Sequence, residues 1–329
     1  MATIKDIAKH SGLGLATISK YLNGGTVLEV NRIAIEAAIN ETGFVLNEMA
    51  RGLRSGNSRT IGVVIPELSN TFITTILTFA EDIFRSNGYS MIISDCRTDP
   101  EREFQAIDFM LSKQVDGIIN MPVNQDGRHL LSAVEKDIPI VLIDRVIHEL
   151  MDKVSTVLVD NAKAADEATQ ILIDAGHKDI GIILGPEDIF TSQQRLLGYK
   201  QALIRNGIIP HERFVHFSDY TTQGGHDGAM YLFENEKPTA LFTTNYEMTL
   251  GVIIAINELK LSIPNDIALI GFDNMQLAKV VNPELTIVEQ PLKKIAESCA
   301  MMMLEILSNK NLTPENKILT TKIHIGGSV

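Results

Sequence analysis

Apolar positions near the start of the chain repeat at helical spacing. Ile4, Ile7 and Ala8 form one stripe and Leu15, Ile18 and Leu22 a second, with Ser11-Gly12-Leu13 between them. Apolar residues three and four apart predict amphipathic helices, and Gly12 supplies a turn residue free to take positive φ. Two short helices joined this way predict a helix-turn-helix, the motif whose second helix enters the DNA major groove. A third helical segment over 29–41, with Ile33, Ala34, Ala37 and Ala38 on one side, completes a head of residues 1–46. Residues 47–58 then read as one or two helical turns running into Gly, Asn and Ser, a hinge helix and linker over 47–60. Alone in water so short a helix is marginal, because nucleation costs more than a few hydrogen bonds return.

From Ile61 the pattern changes. Apolar runs bounded by Gly, Pro, Asn or Asp recur at 61–66, 89–94, 117–120, 138–143, 154–159, 180–184, 214–217, 240–244, 267–271 and 285–288. Between most of them lie amphipathic stretches of helical length, at 71–87, 101–113, 161–175, 192–206, 222–235 and 246–259. Continuously apolar strands alternating with helices predict parallel sheets covered on both faces. Two such series, over 61–160 and 179–271, predict two similar α/β lobes rather than one wide sheet. Ligands of open α/β sheets bind beyond the C-terminal strand ends, so the cleft between the lobes is the expected site.

Composition narrows the class. The chain has 329 residues, 45% of them hydrophobic, enough for two or three packed domains. No run of about 18 apolar residues predicts a membrane span, and Lys5, Asp6 and Lys9 occupy the place of a signal peptide's apolar run. Cys96 and Cys299 are far apart without ligand-like spacing, which fits buried thiols in a reducing cytoplasm. The net charge of −12 argues against general nucleic-acid binding. Residues 1–60, however, carry seven Lys/Arg against five Asp/Glu, leaving 22 against 36 for the rest. Contact with DNA therefore belongs to the head.

No enzyme signature survives. Gly12-Leu13-Gly14 is followed by Thr17 where a dinucleotide fingerprint needs glycine, and no Gly-Lys-Ser/Thr phosphate loop occurs. His211 and His216 are five residues apart, on different helical faces and so not a zinc pair. Met301-Met302-Met303 falls in a helical segment over 291–307 and reads as core or interface packing. Asn311-Leu312-Thr313 matches a glycosylation acceptor, a match without meaning in a cytoplasmic protein. No cofactor or metal is expected.

Several motifs in order resemble the lactose-repressor/galactose-repressor family. They are Thr3-Ile4-Lys5-Asp6-Ile7-Ala8, Ala16 through Asn23, Asn47 through Arg54, and Ile61 through Pro66. Ile143-Asp144-Arg145, Gly176-His177, Arg195 with Gly198-Tyr199, and Gly271-Phe272-Asp273 follow. The resemblance runs nearly end to end. It implies an α + α/β protein: a helix-turn-helix head and hinge helix, then a two-lobed periplasmic-binding-protein-like α/β domain over 61–329. The N-lobe would take about 61–160 plus about 290–320, and the C-lobe about 161–288 plus the C-terminal tail.

By the same resemblance Leu15, Ala16 and Lys20 reach base edges. Lys20 can donate to guanine O6 and N7, and Leu15 or Ala16 suits a thymine methyl; packing of Leu15 into the head core and solvation of Lys20 are the alternatives. Thr3, Ile4, Lys5, Thr17, Ser19 and Asn23 complete the expected DNA-binding set on the head, with Thr17, Ser19 and Asn23 as register-setting phosphate contacts. Leu53 matches the leucine that wedges into the minor groove, beside Asn47 and Ala50. Gly14 and Leu28 stand where the family often has serine, so two helix N-caps lack an oxygen, at ~1 kcal/mol each.

The effector residues implied are Asn70, Phe72, Asp144, Arg145, Arg195, Asn245, Asp273 and Gln290. Phe72 would stack on a sugar ring, and aspartate with arginine would grip hydroxyls. Tyr246 replaces a common acidic residue and is expected to stack or to close off the cleft. Ile73 replaces a second aromatic, and Gly326-Gly327-Ser328 lacks a frequent arginine. Two arginines beside two aspartates fit a neutral sugar, a sugar phosphate or a sugar acid. The implied protein is a cytoplasmic, non-enzymatic homodimer that represses carbohydrate-use genes by binding pseudo-palindromic double-stranded operator DNA. The chain ends without a heptad tail, which favours a dimer over a tetramer. A cytoplasmic sugar-binding module with an inactive head, and a regulator using a protein corepressor, are the alternatives.

Overall fold

A computed structural model describes residues 2–22, 24–45, 57–273, 275–309 and 312–329. The hinge helix and the sites at Asn23, Asn47, Ala50 and Leu53 lie outside the described residues. The chain divides into two units, Met1–Ser58 and Arg59–Val329.

In the first unit, helices α1 (Ile4–Ser11), α2 (Leu15–Leu22) and α3 (Glu29–Thr42) enclose Ile7, Ile18, Ile35 and Ala38. Gly12 ends α1 at φ +69°, its N–H donating to the Ala8 carbonyl at 3.0 Å, which is the left-handed C-cap that glycine takes without steric cost. Leu15 does not join the core, as the apolar stripe implied. It is 45% exposed, and Leu13 of the turn packs inward instead. Gly14 and Leu28 start α2 and α3 through their carbonyls alone, with no side-chain oxygen at either cap. Tyr21 of α2 donates to Glu36 of α3 at 2.8 Å, and Arg32 pairs with the same carboxylate at 2.7 Å. This network ties α2 to α3 where the caps do not.

The second unit holds two parallel-dominated sheets, each with six strands among the described residues. The first contains β1 (Thr60–Ile65), β2 (Ser90–Asp95), β3 (Gly117–Asn120), β4 (Ile140–Ile143) and β5 (Ser155–Val159). The second contains β6 (Ile180–Leu184), β7 (Val215–Phe217), β8 (Ala240–Thr243), β9 (Ala268–Phe272) and β10 (Thr286–Glu289). Near the C-terminus, β11 (Asn316–Leu319) adds parallel to β5, and β12 (Lys322–His324) adds antiparallel to β10. Spatial order is β11-β5-β4-β3-β1-β2 in one sheet and β12-β10-β9-β8-β6-β7 in the other. The chain thus passes from the first sheet to the second after β5, returns after β10, and leaves again after β11.

Strand alternation explains the continuous apolar runs. Ile61, Val63 and Ile65 of β1 face one helix layer, while Val64 faces the other. Ile182 and Ile183 of β6 divide between the two layers of the second sheet in the same way. Both faces are covered, so no polar face is needed. The covering helices include α4 (Thr71–Ser86), α5 (Pro100–Ser112) and α6 (Arg128–Val134) in the first lobe. In the second lobe α7 (Asn161–Asp174), α8 (Phe190–Arg205), α9 (Thr222–Asn235), α10 (Tyr246–Glu258) and α11 (Met275–Val280) do so. Helix α12 (Leu292–Ser308) packs back on the first lobe through Ile295, Cys299 and Met303. Met302 and Met303 are core residues, while Met301 stays exposed. Gly198 is required where α8 meets α7, since a Cβ there would lie 1.9 Å from the Ala162 carbonyl oxygen. Neither α6, α11, β11 nor β12 is announced by the apolar pattern. No helix among the described residues is long and apolar enough to cross a membrane.

Candidate functional site

On the head, Ile18 points into the core, so the opposite side of α2 faces outward. Ala16 and Lys20 are exposed there, Leu15 is exposed one turn before Ile18, and Thr17 and Ser19 are half-buried. Gly25 donates its N–H to the Lys20 carbonyl at 2.8 Å, and a Cβ at Gly25 would lie 2.6 Å from Lys20 Cγ. The absence of a side chain at Gly25 therefore leaves room for the Lys20 stem. Thr3 donates its N–H and its hydroxyl to Asp6 Oδ2, both at 2.8 Å, fixing the start of α1. Lys5 is exposed, whereas Ile4 packs partly against the core.

Between the lobes, all eight expected effector residues line one chamber. Asn70, Asp144, Arg145, Asn245, Asp273 and Gln290 follow the C-terminal ends of strands, where an α/β sheet places its ligand, while Phe72 stands in the first turn of α4 and Arg195 within α8. In this conformation the chamber holds about 80 Å³, well short of the ~300 Å³ at which ligand pockets usually begin. An effector therefore enters only if the lobes part or a side chain moves.

The residues in this chamber divide by what their polar atoms already do. Asn70 caps α4, its Oδ1 accepting from the Ile73 N–H at 3.2 Å. Asn245 caps α10, its Oδ1 accepting from Met248 N–H at 2.9 Å and its amide donating to Glu247 at 2.7 Å and the Tyr220 carbonyl at 3.2 Å. Arg195 lies with its guanidinium carbon 4.1 Å from the Phe272 ring centre. Its Nε donates to Asn161 Oδ1 at 2.8 Å and its Nη1 to the Thr244 carbonyl. Much of the hydrogen-bonding capacity of these three is spent on the protein.

The other residues keep more to offer. Arg145 donates Nη1 to the Pro122 carbonyl at 2.8 Å, and its Nε lies 3.7 Å from Asp144, buried without a hydrogen-bond partner. Gln290 donates to Asp273 Oδ1 at 2.6 Å, which leaves its own Oε1 buried and unpartnered. Burial pushes the Asp273 carboxyl up to about 7, against the pull of Arg195 and the Gln290 hydrogen bond, with Asp144 and Glu247 pushing the same way as burial. Burial also raises Asp144, opposed by Arg145 and Arg195. Both aspartates have positive φ, +64° and +77°, a region aspartate tolerates better than most side chains. Unpartnered buried polar atoms cost ~1–3 kcal/mol each, so a group that partners Arg145 Nε or Gln290 Oε1 is favoured in this chamber.

Three features escaped the sequence. Tyr220 projects across the chamber with its hydroxyl 2.8 Å from both the Thr191 and Ser192 hydroxyls, and its ring rests on Gly185, where a Cβ would lie 2.0 Å from Cζ. Tyr246, expected to stack or to close off the cleft, lines an adjoining cavity of about 650 Å³ with Phe79 and Lys293, a cavity the sequence did not point to. That cavity shares Phe72, Asp273 and Gln290 with the chamber. Glu247 is the third: burial raises its carboxyl, while a hydrogen bond from the Thr71 backbone of the other lobe lowers it. The available signal for Tyr220 was its position three residues beyond β7.

Comparison with known proteins adds an independent line. Residues 169–329 match the family model described as a periplasmic binding protein-like domain. Catabolite control protein A of Priestia megaterium is 36% identical over 311 residues, 94% of this chain and 93% of the relative. The transcriptional repressor CytR of Escherichia coli (strain K12) is 30% identical over 329 residues, 99% and 96% of the two chains. Among solved structures, the complex of the transcriptional regulator CelR with cellobiose superposes with a TM-score of 0.77 at 25% identity, covering 100% of both chains.

Proposed function

The chain belongs to the lactose-repressor/galactose-repressor family of transcriptional regulators, and from that premise we propose that it represses carbohydrate-use genes as an effector-switched homodimer. The heads bind the half-sites of a pseudo-palindromic operator through the outer face of α2, with Leu15, Ala16 and Lys20 at base edges. A sugar-like molecule enters the interlobe chamber, and occupancy changes the spacing of the two bodies. The observation that carries this reading is the convergence of eight residues, spread from Asn70 to Gln290, on one chamber shared by both lobes. Two of them, Arg145 and Gln290, present buried polar atoms without partners. The CelR relative is solved with cellobiose, which favours a carbohydrate over other polar ligands.

Occupancy must also discriminate between states. Turning a two-state switch from 1:99 to 99:1 needs a preference of ~5.5 kcal/mol for one state. Tight binding alone does not supply it. A thermal-shift panel of neutral sugars, sugar phosphates and sugar acids on the full chain tests the assignment. A ligand at about a hundred times its Kd adds ~2.7 kcal/mol to stability. A panel in which no member raises the midpoint removes the carbohydrate assignment and leaves DNA binding untouched.

A further inference from the structure

Outside the chamber, the first lobe buries a charged residue that the effector reading does not use. Glu103, on α5, is 1% exposed, and His129, on α6, is 6% exposed. Glu103 Oε1 accepts from the Val123 N–H and from Asn120 Nδ2, both at 3.0 Å. Asn120 Nδ2 also donates to the Val64 carbonyl at 3.2 Å. Both amide hydrogens are thereby placed, and Asn120 Oδ1 is the atom that faces His129 Nε2 at 3.1 Å. Turning the amide over would set its oxygen against two other oxygens.

The histidine then has acceptors on both sides. Nδ1 lies 2.8 Å from the Asp126 carbonyl, which has no proton to give. Nε2 faces Asn120 Oδ1 and, at 3.5 Å, Glu103 Oε1. Both nitrogens thus face acceptors, the arrangement that suits a ring with a donor on each side, next to a Glu103 carboxyl that burial raises and the neighbouring imidazole lowers. Other charged or titratable groups around the pair are Asp126 and Arg128 beside His129, Glu101 at the rim of the adjoining hollow, Arg145 and the Cys96 thiol.

What the pair holds is the short segment leaving β3. Asn120 and Val123 are gripped by Glu103, and the Met121 N–H donates to Val64 at 3.0 Å. Pro122 lies between these anchors, and its carbonyl is the acceptor for Arg145 Nη1. We propose that Glu103 and His129 form a buried carboxylate–imidazolium pair that positions Arg145 for the effector through the Asn120–Val123 segment. The function given to Arg145 rests on the reading of the chamber as the effector site. The pair itself does not.

Nuclear magnetic resonance of the full chain, ¹⁵N-labelled in its histidine and arginine side chains, tests this without any effector. In the wild type at neutral pH both His129 nitrogens are expected to carry protons. Glu103→Gln should return His129 to a single proton and speed exchange of the Arg145 Nη1 hydrogens, the ones held by the Pro122 carbonyl, by about tenfold or more. The Arg195 Nε–H, held by Asn161 on the other lobe, should keep its rate. His129→Gln, which removes the cation and retains an amide donor, should reproduce the Arg145 effect. A singly protonated His129 in the wild type overturns the pair, and an Arg145 rate unchanged or moving together with Arg195 overturns the positioning role. The sugar panel can succeed or fail independently of either result.

Discussion

Asp144 and Asp273 occupy equivalent places in the two sheets. Each is the first residue beyond the third strand from the edge where β11 or β12 adds, β4 in one lobe and β9 in the other. Each has positive φ, and each donates its backbone N–H to the neighbouring strand, Asp144 to Val157 at 3.1 Å and Asp273 to Val288 at 2.8 Å. The two lobes thus present carboxylates to one chamber by the same local geometry. Neither acid is fully compensated in the absence of an effector: Asp144 has its arginine neighbour at 3.7 Å, and Asp273 has an amide.

That shortfall has a pH signature. The carboxyl of Asp273 is at about 7 in the folded chain, against an ordinary value near ~3.9 when unfolded. Between these limits the folded state binds more protons, so its stability falls as pH rises through the window and levels off above about 7. Asp273→Asn removes the titrating group. Effector-free melts should show the variant gaining stability relative to wild type at pH 8 compared with pH 5. A stability difference that is the same at both pH values contradicts the assignment.

Tyr220 lines the chamber, and its ring fills space that a smaller side chain would leave open. Tyr220→Phe loses the contacts to Thr191 and Ser192, at ~0.5–1.5 kcal/mol, and keeps the ring that fills the space. Tyr220→Ala opens the space. Gly185→Ala should act like a displacement of the ring, because the new methyl would meet Tyr220 without lining the chamber itself. In the thermal-shift panel, both Tyr220→Ala and Gly185→Ala are expected to shift preference toward larger sugars, and Tyr220→Phe is not. A Gly185→Ala panel indistinguishable from wild type would show that the ring does not gate size.

Much of this architecture was legible because apolar runs and helical periodicity report burial directly. Ile180–Leu184 and Thr222–Asn235 fall where the pattern put them. The tail strands did not announce themselves, since Asn316–Leu319 and Lys322–His324 are largely exposed edge strands carrying polar residues. The eight chamber residues came from family resemblance, and the structure brings all of them together. Their division of labour was not readable. Asn70 and Asn245 cap helices, and Arg195 is engaged by Asn161 and Thr244, partners fixed by tertiary packing. Leu15 marks the limit of periodicity: it shares an apolar stripe with Ile18 and Leu22, yet it is exposed, and Leu13 of the turn packs against the core.

Asn161 offers a test of that division. It is buried, does not line the chamber, and accepts from Arg195 Nε at 2.8 Å. Asn161→Ala leaves a buried guanidinium nitrogen without its acceptor, at a cost of ~1–3 kcal/mol in stability. It should also weaken binding of whichever sugar the panel identifies, since Arg195 would no longer be held in place. Unchanged effector affinity at reduced stability would assign Arg195 a purely structural role.

On the head, salt dependence separates the two ways a lysine meets DNA. An operator is first selected from a randomised duplex library with the wild-type chain, then titrated at two or more salt concentrations. If Lys20 donates to guanine, Lys20→Ala loses ~1–3 kcal/mol concentrated at one base pair and relaxes the preference there. If it meets a phosphate, the loss is spread over all sequences and the slope of log affinity against log salt falls by about 0.9. The exposed position of Lys20 beside Leu15 and Ala16, with room for its stem left by Gly25, points to the first outcome. Leu15→Ala should relax selection at a neighbouring thymine and leave the slope alone. Thr17→Ala, taken as a register-setting phosphate contact, should weaken every sequence alike; a Lys20→Ala profile of that uniform kind would move Lys20 into the same class.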